Sequence, residues 1–97
     1  MLTTEYTPHT IEKDNIASLH FPPDDVLDLP LEIHQRKTDA MRGMLLGNNY
    51  KTKVKILFKD DECVKQVETT IWGVTDTSVI LKTGMGIPLN RILRVKI

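Results

Sequence analysis

The chain has 97 residues, 13 Lys+Arg against 13 Asp+Glu, 40% hydrophobic residues and a single Cys. That composition fits one small globular domain with a modest core and excludes both a disulfide framework and a disordered chain. No apolar run approaches the ~20 residues of a membrane helix, and the opening Met-Leu-Thr-Thr-Glu-Tyr lacks the basic and apolar segments of a secretory signal. A cytoplasmic, reducing setting without membrane attachment is the expectation.

Neutrality conceals an asymmetry. Residues 1–50 hold eight acids and four bases, whereas residues 51–97 hold nine bases and five acids. Opposite charge favours docking of the two halves on each other, or on partners of matching sign. Composition changes at the same place: six Val, six Ile and six Thr fall in 51–97, and four of five prolines in 1–50. β-branched density of this kind belongs to strands. The expected organisation is one domain, with an N-terminal arm over 1–29, a helix over 30–47 and a β unit over 51–97.

The arm is acidic yet carries Tyr6, Ile11, Ile16, Leu19, Phe21, Val26 and Leu27. So many large apolar groups must bury somewhere, and the basic β unit is the expected site, in the same chain or across a homodimer. Pro22-Pro23 holds the backbone extended, and Asp24-Asp25 can then cap a short helical turn through Val26-Leu27.

The helix is predicted from Pro30 to Leu46, with Pro30 in the first turn, Glu32 as a favourable early carboxylate and Gly47-Asn48-Asn49 as the stop. Glu32, Gln35, Arg36, Asp39 and Arg42 share a polar arc that also takes Gly43; Leu31, Ile33, Ala40, Met41, Met44 and Leu45 fill the opposite half. His34 falls within the apolar arc, where a partly buried, satisfied imidazole is the expectation.

Alternation marks a strand over Lys51–Phe58, with Val54, Ile56 and Phe58 inward, followed by a turn at Lys59-Asp60-Asp61-Glu62. A long strand is predicted over Val64–Val74, with Val67, Thr69 and Ile71 on one face and a bend or bulge at Gly73. Shorter strands follow at Ser78–Lys82 and Ile87–Leu89, the latter at an edge because of Pro88, and at Arg91–Ile97 with Leu93, Val95 and Ile97 on one side. The predicted core is Val54, Ile56, Phe58, Val67, Ile71, Val79, Leu81, Leu89, Leu93 and Val95, joined by Met41, Met44 and Leu45.

Four or five short strands with tight turns behind one helix suggest a small SH3-like barrel. The runs Val54–Phe58, Val67–Trp72, Val79–Lys82 and Ile87-Pro88-Leu89-Asn90-Arg91-Ile92 resemble an Sm-like barrel. The pattern is similar to that of the small bacterial inhibitors of the Rho transcription terminator, and equally to small bacterial proteins of unknown role. The resemblance covers residues 51–97 and implies a non-enzymatic regulatory or binding protein. The RNA-binding signatures of Sm proteins are not reproduced: Asp76 stands without the Asn, and Arg91 is followed by Ile92.

Chemistry is sparse. His9, His20 and His34 match no compact metal signature, and no cofactor motif is present. Cys63 has no neighbouring His and reads as an inert, half-buried thiol. Ser18 and Ser78 lie in no nucleophile elbow. Gly84-Met85-Gly86 lacks the helix of a phosphate loop and reads as a turn. Asp60-Asp61-Glu62 lacks the spacing of a calcium loop and reads as a solvated hairpin tip. No acid–base pair converges, so no enzyme is expected.

What remains is a module binding an unidentified protein partner. Its candidate contact residues are a partly exposed Trp72 with Lys53, Lys55, Lys65, Lys82, Arg91 and Arg94. The alternative is an RNA- or transcription-machinery-binding Sm-like barrel using the strand cations, Lys96 included. A sequence pI near 6.8 and the single Trp weigh against it.

Overall fold

In a computed structural model, which describes residues 9–97, the chain runs through β1 (His9–Thr10), α1 (Pro30–Tyr50), β2 (Val54–Lys59), β3 (Val64–Thr69), β4 (Ile71–Val74), β5 (Ser78–Leu81), β6 (Gly86–Pro88) and β7 (Ile92–Lys96). Short 3-10 turns lie at Lys13–Ser18 and Leu89–Arg91. The strands form two sheets, ordered β1-β3-β2-β7 and β4-β5-β6. All pairings are antiparallel except β1 beside β3. Among the described residues this is a mixed architecture of seven strands and one α-helix. Both sheets are open: among the described residues no ladder joins them, so the expected barrel closure is not seen.

The inward-facing residues follow the period-two alternation closely. Val54, Ile56, Phe58, Val67, Ile71, Val79, Leu81, Leu89 and Val95 are buried as predicted, and Ile16, Ala40, Ile87 and Ile92 join them. Leu93 does not. The β2–β7 register shifts between Leu57, opposite Arg94, and Phe58, opposite Ile92. The shift leaves Leu93 as an extra, half-exposed residue and turns Ile92 inward; Ile97 is exposed.

The predicted long strand is two strands. β3 ends at Thr69 and β4 starts at Ile71 in the other sheet, so the chain changes sheets at Thr70, not at Gly73. A register irregularity still falls where an irregular strand was expected, between Ile71 and Gly73, and it puts Trp72 on the outside. β6 begins and ends one residue earlier than predicted and lies at a sheet edge, as Pro88 requires.

The helix departs most from expectation. It runs past Gly47 to Tyr50 and ends at Lys51, whose φ of 57° is the left-handed cap conformation. Its buried residues are Arg36, Ala40, Gly43 and Gly47. Met41 and Leu45, predicted as core, are 40% and 54% exposed; Met44 is half-buried against the core, and His34 is exposed. Close approach explains the choice of face. A Cβ on Gly47 would lie 2.7 Å from the Ile71 carbonyl oxygen, and one on Gly43 would lie 3.1 Å from Ile71 Cδ1. Gly43 therefore belongs to the docking face, not the polar arc, and Gly47 is a contact residue, not a stop. Seated this closely, α1 rests on β4 of one sheet and β7 of the other.

The arm packs on its own β unit. β1 lies beside β3, and the Ile11 N–H donates to the Gln66 carbonyl at 3.0 Å. Ile16 is buried, and the Phe21 ring meets Phe58 at 5.9 Å between centroids. The Val26 N–H donates to the Asn90 carbonyl at 2.9 Å. No helical turn forms at Val26-Leu27; instead the Asp25 carboxylate accepts the Leu27 N–H at 2.8 Å. Tyr6 lies outside the described residues. No described helix is long and apolar enough to cross a membrane.

Candidate functional site

Four segments converge beside the end of α1. The Lys82 N–H donates to the Thr70 carbonyl at 3.0 Å, which brings the end of β5 against the start of β4. The Lys51 N–H donates to the Gly47 carbonyl at 2.9 Å, closing the helix and delivering the chain to Lys53 at the head of β2. Between these segments lies a cleft of about 350 Å3, lined by Gly47, Asn48, Lys51, Lys53, Thr70, Trp72 and Lys82. Among the described residues no carboxylate lines it. Trp72 is 53% exposed, and among the described residues Lys51, Lys53 and Lys82 make no ion pair. The carbonyl end of a helix carries roughly half a negative charge, so three ammonium groups exceed what the helix end needs. The cleft is a positively charged slot with an aromatic wall.

The other candidates divide. On the outer face of the four-stranded sheet, Lys55 lies opposite Lys96 on β7 and Glu68 on β3, and Arg94 lies opposite Leu57. Arg94 and Lys96 line a second groove with Asp39 and Arg42. Lys55 and Lys96 thus carry basic charge along β2 and onto β7, with Glu68 and Asp39 beside them.

Lys65 and Arg91 are not surface contacts. Lys65 is buried and paired with Asp60, with Glu62 at 3.4 Å. Asp60, 1% exposed, also accepts the Glu62 and Cys63 N–H groups, each at 2.9 Å. Burial pushes the Asp60 carboxyl up, but the Lys65 ammonium and the two N–H donors prevail and hold it below its ordinary value. The hydrogen bond to Asp60 raises Lys65 in turn, against its desolvation. Of the expected solvated hairpin tip, Asp61 and Glu62 are exposed, whereas Asp60 is drawn into a buried ion pair with Lys65. Asp60, Asp61 and Glu62 have carboxylates within 4.8 Å of one another, but Asp60 is already engaged and the cluster resembles no cation cage.

Arg91 holds the arm. Its guanidinium donates to the Asp24 carbonyl at 2.9 Å, the Asp24 carboxylate at 3.2 Å and the Lys59 carbonyl at 3.0 Å. Of the seven candidates, the structure gathers Trp72, Lys53 and Lys82 into one cleft and withdraws Lys65 and Arg91 into the interior. Lys51, the third cation of the cleft, is missed by sequence reasoning because only the helix end places it there.

A larger groove of about 720 Å3 runs between the first half of α1 and the Asp76-Thr77 and Leu89-Asn90 segments. Its charged groups satisfy one another: Asp25 binds Arg36 at 2.8 Å, and Lys37 faces Asp76 at 3.8 Å. Cys63 is free and half-buried.

Compared with protein-family models, curated proteins and solved structures, the chain finds no match in any of the three. The site has to be read from its own chemistry.

Proposed function

We propose that this protein is a non-enzymatic binding module that takes a single-stranded nucleic acid across the Trp72 cleft. One observation carries the reading: an exposed Trp ringed by Lys51, Lys53 and Lys82, with no carboxylate among the lining residues. An aromatic face accepts any base by stacking, while ammonium groups follow the phosphates. The cations of Lys55, Lys96 and Arg94 extend the path beyond the cleft. Neutral overall charge weighed against this reading in the sequence, but the charge is unevenly placed, and the acids Asp24, Asp25 and Asp60 are paired away from the cleft. An SH3-like or Sm-like relationship belongs to the same proposal; the abrupt change of sheet at Thr70 supports it.

Trp72 is the only Trp, so its emission reports the cleft directly. Titration with a single-stranded oligonucleotide should quench it. Affinity should fall with salt at a log–log slope of about −2, as three phosphate contacts on a single strand imply. Lys53→Glu and Lys82→Glu should each weaken binding about tenfold. No quenching at low salt would refute the reading; an equal response to a polyglutamate peptide would move it to an acidic protein segment.

A second reading, contact with a protein, is favoured by a different surface. The outward side of α1 exposes Leu31 at 83%, together with Met41 and Leu45.

A further inference from the structure

The Trp72 cleft holds a sheltered hydroxyl with nothing to bind. Thr70 lines the cleft and is 6% exposed. Among the described residues, the threonine hydroxyls engaged in hydrogen bonds are those of Thr10 and Thr75. The only fully buried side-chain polar atom without a partner is Arg36 Nε, again among the described residues. Thr70 Oγ1 is therefore unpartnered yet still open, and it opens to the cleft. The methyl explains the orientation. A Cβ on Gly47 would lie 2.9 Å from Thr70 Cγ2, so the methyl faces the helix and the hydroxyl is left to the cleft.

Two cations flank that hydroxyl. Val54 pairs with Thr69, so Lys53 stands opposite Thr70 one step beyond the ladder. On the other side Ile71 pairs with Leu81, and the Lys82 N–H donates to the Thr70 carbonyl at 3.0 Å. A hydroxyl between two ammonium groups is a donor set suited to a phosphate, whose ionised oxygens only accept. Trp72 follows two residues along the chain, roughly 6–7 Å away. That spacing is comparable to the separation of phosphate and base within one nucleotide. A phosphate at Thr70 and a base on Trp72 can thus belong to the same nucleotide, and Lys51 remains for its neighbour.

Charge decides which nucleotide it is. A phosphate inside a strand is a diester with one negative charge, whereas a phosphate at a strand end is a monoester with about 1.5 to 2 at neutral pH. Two ammonium groups and a sheltered hydroxyl exceed what the diester needs and match the monoester. We infer that the cleft binds the terminal, phosphorylated nucleotide of a single strand, with the monoester held by Lys53, Thr70 and Lys82 and the base on Trp72. The inference rests on the nucleic-acid reading of the cleft and adds the end of the strand as its target.

The test titrates the full chain, read by Trp72 emission, with one short oligonucleotide carrying a 5′-phosphate, a 3′-phosphate or hydroxyls at both ends, and with the matching nucleoside monophosphates. One of the phosphorylated strands should bind about tenfold more tightly than the unphosphorylated strand, the effect of one added charge beside two ammonium groups. Thr70→Val, which trades only the hydroxyl for a methyl and is checked for folding by circular dichroism, should keep binding of the unphosphorylated strand and lose most of the preference. Lys82→Gln should reduce the preference as well. Equal affinity for all three strands overturns the inference and leaves the nucleic-acid reading standing; failure of every strand to bind ends both. A nucleoside monophosphate that binds as tightly as the phosphorylated strand also overturns it, because the ligand is then a free nucleotide. So does a preference that both variants retain.

Discussion

Asp25 and Arg36 meet in a two-pronged pair, one carboxylate oxygen 2.8 Å from one guanidinium nitrogen and the other 3.0 Å from the second. The same guanidinium donates to the Ile92 carbonyl at 3.1 Å. One side chain thus ties together the arm, α1 and the start of β7. Arg36 is buried while Asp25 is one-third exposed, so the pair straddles the surface. The bond to Arg36 is the main reason that the Asp25 carboxyl stays below its ordinary value.

Removing either partner should have unequal effects. Asp25→Ala leaves the buried Arg36 guanidinium with the Ile92 carbonyl as its remaining partner and should cost about 2–3 kcal/mol, less than for a fully buried pair because Asp25 itself is one-third exposed. Arg36→Ala removes the bonds to both the arm and the Ile92 carbonyl and should cost more, about 3–5 kcal/mol. Urea denaturation of both variants checks the order; equal effects would show that the Ile92 contact contributes nothing.

Acid should unfold the protein through Asp60 and Asp25. Both have folded values below 3.8, so each contributes stability above the unfolded value that is lost as pH falls through the folded one. Lys65 is raised above 10.5, so its contribution is complete at neutral pH and disappears only as pH climbs beyond that value. Asp60→Asn strands a buried ammonium and should cost about 3–5 kcal/mol at pH 7, with a shallower loss of stability below pH 4. Denaturation profiles between pH 2 and pH 7 decide it; a parallel acid profile in the variant would remove Asp60 from the account.

Gly43→Ala and Gly47→Ala should separate sharply. At 43 the added methyl meets the end of the Ile71 side chain at 3.1 Å and Val54 at ordinary contact distance, and the gain in helix propensity, about 1 kcal/mol, offsets the crowding. At 47 it meets a backbone oxygen at 2.7 Å, and the helix must lift, costing at least 1–3 kcal/mol. Thermal melts of the two variants measure the difference.

Trp72 should be quenched more strongly by iodide than by caesium, because three ammonium groups concentrate anions around it. Raising the salt concentration should shrink the asymmetry, as should Lys53→Glu. Equal quenching by the two ions would mean that the lysines point away from the ring.

The strand faces were legible because a sheet buried on one side imposes a period of two, and Val54, Ile56 and Phe58 display it without ambiguity. The helix face was not. Hydrophobic periodicity assumes that the largest apolar residues face inward, whereas α1 docks through Ala40, Gly43 and Gly47 because the sheets stand too close for anything larger. Lys65 was readable in principle. It continues the alternation of Val67 and Thr69, so the inward face of β3 already required a buried cation and hence an acid to match. Arg91 gave no such signal, because its partners come from the arm and the β2 end, distant in sequence. Trp72 and Lys82 were found as residue types, but their convergence with Lys51 depends on where the helix ends.

The missing side chain at position 47 also sets a dimension. Gly47 touches Ile71, and the next residue along the strand is Trp72; the next residue past the helix end is Lys51. The floor between these two residues is therefore set by the close approach of the Gly47 and Ile71 backbones, which does not repack as side chains do. A single hydrogen atom in place of a methyl group thus lets two backbones meet at the floor of the cleft, and a side chain at 47 would pry that floor open.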